Sequence, residues 1–383
     1  MNVLLTDGNL KHTLAAVRSL GKKGVHVTVL SHVPGNLSSL SKYCSRSVRA
    51  PNPEKDPAFA DFLVDFVKDN SFDVVLPIGF ASVMRIDKSR NHLEQYTKIP
   101  LADSNMLEIA GNKNKTIKFA EAIGIRTPKT WYPTNEYDVK ELSEKLTYPI
   151  VIKGISDSGV IRYVNNPNEL IAQYHLLQQH SPVLQEYITG VGYGFFALYN
   201  RGKHKAIFMH KRIREYPATG GPSAMAESVY DDRLFTSGKT LLDALNWHGV
   251  AMVEYKKDIK TGEFVLMEIN PKFWGSLGLA IAAGVDFPYL TCKMVIDGDI
   301  KPILRYNEGI VYRWLFPEDI LNVMTYPSNF WQFIRDFGNP SIQYNIDFAD
   351  LKPTIMQMGM TVAEFVIKVK ERRFWRPHGY PNY

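Results

Sequence analysis

The segment Phe264-Val265-Leu266-Met267-Glu268-Ile269-Asn270-Pro271-Lys272-Phe273-Trp274-Gly275 carries more information than any other part of the chain. Phe264–Ile269 reads as a strand, and Gly249–Glu254 as a second strand on the other side of the turn Lys260-Thr261-Gly262-Glu263. Together they predict a hairpin. Residues two apart on a strand share a face, so Glu268 and Asn270 point the same way and Glu254 can meet them across the ladder. Two carboxylates and an amide form a hard oxygen set suited to magnesium, which takes few protein ligands and fills its shell with water and phosphate oxygens. One acid alone at a strand end is more often a solvated charge. The joint pattern, with Pro271 closing the strand and Gly275 opening the next element, argues for a site.

Upstream, the apolar strand Ile150-Val151-Ile152 ends in Lys153 and runs into Gly154-Ile155-Ser156-Asp157-Ser158-Gly159. Small residues let backbone N–H groups approach phosphate oxygens while a lysine neutralises their charge. The bland alternative is a plain hairpin loop, and a Walker loop is excluded because Gly-x-x-x-x-Gly-Lys-Ser/Thr is missing. Residues 1–105 alternate short apolar strands with helical patterns: Val3–Leu5, Thr13–Leu20, Val25–Leu30, Phe59–Val67 and Val74–Pro77. That order predicts an α/β domain with a parallel sheet covered by helices. Ligands of such sheets sit beyond the carboxyl ends of the strands, at the turns Thr6-Asp7-Gly8-Asn9 and Pro77-Ile78-Gly79-Phe80. No Gly-x-Gly-x-x-Gly follows the first strand, and the simplest role of Asp7 and Gly8 is a capping turn.

A chain of 383 residues, at roughly 150 residues per domain, implies two or three compact units. Cys44 and Cys292 are the only cysteines and lack neighbours at metal-ligand spacing, which argues against a disulfide framework or a zinc knuckle and for a reducing, cytoplasmic setting. The +6 formal charge favours anionic ligands. No nucleic-acid partner is expected. The N-terminus does not read as a secretory signal, and no apolar run reaches the ~18 residues of a membrane span.

The order of parts resembles the ATP-grasp superfamily, which includes carbamoyl phosphate synthase, biotin carboxylase and D-alanine:D-alanine ligase. The resemblance rests on Lys113 after Gly-Asn, Lys153 after an apolar strand, the hinge Gln185-Glu186-Tyr187-Ile188, and Glu254 with Glu268-Ile269-Asn270-Pro271. It covers roughly residues 1 to 300. It implies an N-terminal pre-ATP-grasp domain over 1–105, then an α+β ATP-grasp fold over 106–300 in two subdomains, 106–182 and 183–300, with a C-terminal extension over 301–383. It further implies that Lys113, Lys153, Ser158, Gly159 and Lys211 contact ATP phosphates, and that Gln185, Glu186, Tyr187 and Ile188 hold the adenine. Glu254, Glu268 and Asn270 would hold one or two magnesium ions, with manganese an alternative. Arg212, Arg214 and Lys272 would anchor a substrate acid, and Lys211–Arg214 with Gly220-Gly221 would form a basic loop over the phosphates; a solvated strand pair is the alternative there. The chain departs from the family in having no ribose-binding carboxylate near Gly192, and Lys272 where relatives carry arginine.

The resemblance implies a carboxylate–amine ligase that makes an acyl phosphate from a small carboxylic acid such as an amino acid or peptide, releases ADP and phosphate, and has small-molecule acid and amine partners. A non-catalytic ATP-binding module and a bicarbonate-using carboxylase are the alternatives, and a homodimer is an open assembly. No Ser-His-Asp or Cys-His arrangement is apparent, and His210 and His248 read as structural hydrogen-bonders. Near the C-terminus, Val362, Phe365, Val366 and Val369 recur at helical spacing. The basic, aromatic ending Lys368–Arg376 admits either an anionic membrane surface or a helix packed on the body with a solvated cationic face.

Overall fold

The computed structural model describes residues 1–154, 161–217 and 221–370. Runs of β-branched and apolar residues form a four-stranded parallel sheet from β1 (Asn2–Leu5), β2 (His26–Ser31), β3 (Arg46–Arg49) and β4 (Val74–Leu76), in the order β3-β2-β1-β4. Helices Lys11–Gly21 and Phe59–Asp69 cover it, in agreement with the periodicity. Asp7, at the carboxyl end of β1, adopts φ +59°. Its carboxylate accepts a 2.8 Å hydrogen bond from the Gly79 N–H. The two turns expected on the functional edge are therefore tied to each other by the Asp7 side chain.

A second sheet, antiparallel, is built from β5 (Thr130–Trp131), β6 (Ile150–Lys153), β7 (Ile161–Val164) and β8 (Val183–Glu186) in the order β5-β8-β6-β7. It has its own small core of Val139, Ile150, Ile152, Val164, Leu170 and Leu184. The third sheet has seven strands: β9 (Gly190–Asn200), β10 (Lys203–Glu215), β11 (Ser223–Ser228), β12 (Gly249–Asp258), β13 (Phe264–Asn270), β14 (Val311–Arg313) and β15 (Ile342–Tyr344). Their order is β13-β12-β9-β10-β11-β14-β15. The expected hairpin is β12 and β13, with Glu254 directly opposite Glu268. Two larger cores join the parallel sheet to this central one.

The glycine-rich stretch Gly190–Gly194 is the first half of an 11-residue strand. Glycine is needed there for close approach: a Cβ on Gly190 would lie 2.0 Å from the Lys257 carbonyl oxygen, and one on Gly192 would lie 2.8 Å from Arg212 Cδ. The basic stretch after Met209 is the strand pair β10–β11, not a loop, in the part that is described. Residues 301–370 are stitched into the central sheet by β14 and β15.

Candidate active site

The antiparallel sheet and the central sheet face each other across a cleft of about 480 Å³. Asn112 caps the helix Lys113–Ala122, its side chain accepting from the Asn114 and Lys115 N–H groups, and this fixes Lys113 in the first turn. The Lys113 ammonium reaches Glu268 Oε2 at 3.0 Å. Lys153, at the end of β6, donates to Gln185 Oε1 at 2.5 Å, and Gln185 donates in turn to Thr130 Oγ1 at 3.0 Å. Burial, with the like charge of Lys113 next in weight, lowers Lys153 to about 8.

Glu254, Glu268 and Asn270 converge as the hairpin register predicts. The Asn270 amide donates to Glu254 Oε1 at 3.1 Å and to Glu268 Oε1 at 3.0 Å. The remaining oxygens are held by cations, Glu268 by Lys113 and Glu254 by Arg212 at 2.6 Å. Burial raises both carboxyls, but their neighbours split them. For Glu268 the Lys113 charge and the Asn270 amide outweigh burial and pull it below the ordinary range. For Glu254 burial prevails over Arg212, and the like charge of Glu268 adds to it, so this carboxyl is raised. Two acids sharing one amide resist being charged together, which a divalent cation would relieve. The donor set fits magnesium on that ground.

The hinge lines the same cleft. Lys256 donates to the Ile188 carbonyl at 3.1 Å and lies 5.3 Å over the Tyr187 ring, which meets Tyr163 edge-on. Glu186 also lines the cleft and is tied to Lys129, its backbone N–H donating to Lys129 O and its carboxylate accepting from the Lys129 N–H at 3.2 Å.

The basic residues of β10 separate. Opposite β11, Arg212 pairs with Ala226 but Arg214 with Met225, so Ile213 is an extra residue. Such a bulge shifts the face of everything beyond it. Arg212 enters the cleft, whereas Arg214 pairs with Asp319 at 2.8 Å and Asp336 at 2.7 Å, buried in the C-terminal part. Arg214, expected to anchor substrate, is thus not brought to the cleft. Lys211, the neighbour of Arg212 on the strand, faces the opposite side and does not line the cleft either. Ser158, Gly159 and Gly220 lie outside the described residues.

Sequence reasoning passed over Glu215 and Lys256, both of which line the cleft. Glu215 returns beside Arg212 (3.3 Å) after a second register shift. It also comes within 2.9 Å of where a Cβ on Gly192 would sit, so a carboxylate does stand near the glycine where none was found in sequence. Only the bulge brings it there, and the one local signal was Gly192 itself. His210 is fully buried against Phe196, with burial lowering its pKa well below the ordinary value. His248 accepts from the Arg201 N–H at 3.3 Å.

Beyond the carboxylates, Lys272 opens onto a larger cavity of about 1020 Å³ at the carboxyl ends of the parallel strands, lined also by Asp7, His12, Lys55, Arg85 and Lys88. Lys272 has no hydrogen bond or ion pair among the described residues. Burial lowers its pKa, opposed by the charges of Glu254, Glu268 and Asp7. Both His12 nitrogens are shut off from solvent and unpartnered.

A family model described as ATP-grasp in the biosynthetic pathway with Ter operon matches residues 180–316. The carbamoyl phosphate synthase large chain of Caldanaerobacter subterraneus is 21% identical over 261 residues, 63% of this chain and 24% of that one. The D-aspartate ligase of Enterococcus faecium is 21% identical over 248 residues, 57% of this chain and 59% of that one. The chain therefore spans a quarter and about three-fifths of these curated relatives. The crystal structure of N5-carboxyaminoimidazole synthetase from Staphylococcus aureus complexed with ADP superposes with a TM-score of 0.67 at 15% identity, covering 86% of each chain.

Proposed function

We propose that this chain, which carries an ATP-grasp domain, is an ATP- and magnesium-dependent ligase that joins a small carboxylic acid, such as an amino acid or peptide, to an amine. The observation that carries the reading is the meeting, at one cleft, of two phosphate-seeking lysines (Lys113 and Lys153) and a hard donor trio, with the unpaired Lys272 leading from there into the larger cavity.

In this reading Lys153 and Lys113 bind the phosphates, Gln185–Ile188 and Tyr163 hold the base, and Glu215 takes the ribose hydroxyls. Glu254, Glu268 and Asn270 would hold magnesium, which supplies charge withdrawal from the terminal phosphoryl group. Lys272 and Arg212 orient the substrate carboxylate by charge. A carboxylate oxygen bonds to the terminal phosphorus of ATP as the bond from that phosphorus to the bridging oxygen breaks, giving an acyl phosphate and ADP; the amine then forms the C–N bond as the C–O bond to phosphate breaks. The ammonium's surplus proton leaves with solvent or phosphate. The protein contributes position and charge neutralisation rather than a covalent nucleophile.

The test is a phosphate-release screen of paired acids and amines, with mass spectrometry of the product. Acid-dependent phosphate release that hydroxylamine diverts to a hydroxamate supports the acyl phosphate. Release only with bicarbonate would replace this reading with a carboxylase, and no release with any acid, despite nucleotide binding, with a binding module.

A further inference from the structure

The stripe Val362, Phe365, Val366 and Val369 predicts a helix whose apolar side either packs on the body or meets another surface. The helix Leu351–Lys370 forms, and that side faces outward. Its buried residues are Pro353, Thr354, Gln357 and Thr361, three of them polar. Its exposed residues are apolar: Ile355 is 64% exposed, Val362 63% and Ile367 54%, with Met358, Val366 and Val369 between 41% and 49%. The inward side is polar enough to leave Thr354 Oγ1 and Gln357 Oε1 buried without partners. A helix on a monomer in water buries its apolar stripe, so this inversion marks a surface that something else covers.

Charge identifies what covers it. The only acid on the helix, Glu364, is paired with Lys368. The nearest upstream acids, Asp347 and Asp350, are paired with Lys22 and Arg18. Lys352 and Lys370 are exposed at the two ends of the apolar row. The sequence then continues with Arg372, Arg373 and Arg376 against Glu371 alone. A second copy of the chain laid along the row would set Lys352 and Lys370 against the same two cations of the other copy. An anionic bilayer would neutralise them while taking up the apolar side chains. The short helix Phe330–Phe337 presents Trp331 at 75% exposure, an aromatic suited to a lipid interface. No helix among the described residues is long and apolar enough to cross a membrane, so the surface would lie on the bilayer.

We infer that the outward face of the helix Leu351–Lys370 docks on an anionic membrane surface.

The experiment is flotation of the full chain with vesicles of phosphatidylcholine alone or with about 30% phosphatidylglycerol, in low and high salt, beside light scattering without vesicles. The expected result is capture by the anionic vesicles, reduced about 10-fold or more on neutral vesicles or in ~0.5 M salt, where screening is strong. The double variant Val362→Glu/Val366→Glu changes only exposed positions and should lose capture while keeping its melting temperature. Lys370→Glu gives a second, milder arm should the double variant be unstable, and should weaken capture several-fold. No capture by anionic vesicles, or equal capture by neutral ones, overturns the inference. A dimeric mass that Val362→Glu/Val366→Glu converts to monomer, without vesicle binding by the parent, would assign the face to a second copy instead.

Discussion

Replacing Lys153 with methionine should stabilise the ligand-free protein while crippling nucleotide binding. The Lys153 ammonium sits beside a like-charged lysine, and burial lowers it from 10.5 to about 8. At 1.36 kcal/mol per unit that shift corresponds to at most about 3 kcal/mol of strain in the charged form at neutral pH. Methionine removes the charge but leaves Gln185 Oε1 without its donor, which costs about 1 kcal/mol and leaves a net gain near 2 kcal/mol. The sign follows from linkage. Between the folded value of about 8 and the unfolded 10.5 the unfolded chain holds more protons, so the stability of the parent rises with pH across that window. The advantage of Lys153→Met should therefore be full at pH 7 and mostly gone by about pH 10. Urea unfolding of both proteins at the two pH values measures this. Calorimetric titration should show the opposite trend for ATP with magnesium, a loss of roughly 10- to 100-fold for one charge-assisted contact. A variant less stable than the parent at pH 7, or an advantage independent of pH, would refute the reasoning.

Glu268→Gln should abolish ligase turnover with the fold retained, because the lost partner, Lys113, is half-exposed and gives up only about 0–1 kcal/mol; parental turnover in the phosphate-release assay would dismiss the metal assignment. Arg214→Met should lower unfolding free energy by about 3–5 kcal/mol, since it leaves Asp336 in the interior without its ion-pair partner and Asp319 with Arg313 alone, and should leave nucleotide affinity unchanged in the fraction that folds. A loss of affinity with unaltered stability would return Arg214 to the site. Glu215→Gln should weaken ATP about 10-fold while leaving inorganic tripolyphosphate unaffected, as expected for a carboxylate that reads ribose and not phosphate. Equal weakening of both would show that Glu215 acts only through Arg212.

What was legible in the sequence followed local periodicity. The parallel sheet, the hairpin β12–β13 and the meeting of Glu254, Glu268 and Asn270 needed only alternation and a turn, and all are present. Lys113 and Lys153 were legible because each sits at an element's end, one after a helix cap and one closing a strand. The fate of Arg212, Arg214 and Glu215 was not legible. Their distribution depends on one extra residue in β10, and a bulge leaves no compositional trace in its own strand. Which way the C-terminal helix turns was left open for a related reason. Periodicity finds an apolar stripe but says nothing of which neighbour the stripe meets.

The ligand-free cleft is held together by pairs that use the groups a nucleotide would need. Glu268 occupies Lys113, and Glu254 occupies Arg212. Each pair spares its carboxylate the cost of lone burial, and the shared Asn270 amide brings the two acids to one point despite their repulsion. Releasing Lys113 toward a phosphate strips Glu268 of its counter-charge, which is favourable only if another cation arrives with the phosphate. The same trade applies to Arg212 and Glu254 when a substrate carboxylate approaches. If the cleft takes nucleotide as proposed, anion and metal binding would be linked through the same two carboxylates, as reciprocal linkage requires, and a preference for a metal-bound phosphate over either component would follow from ion pairs already present without ligand.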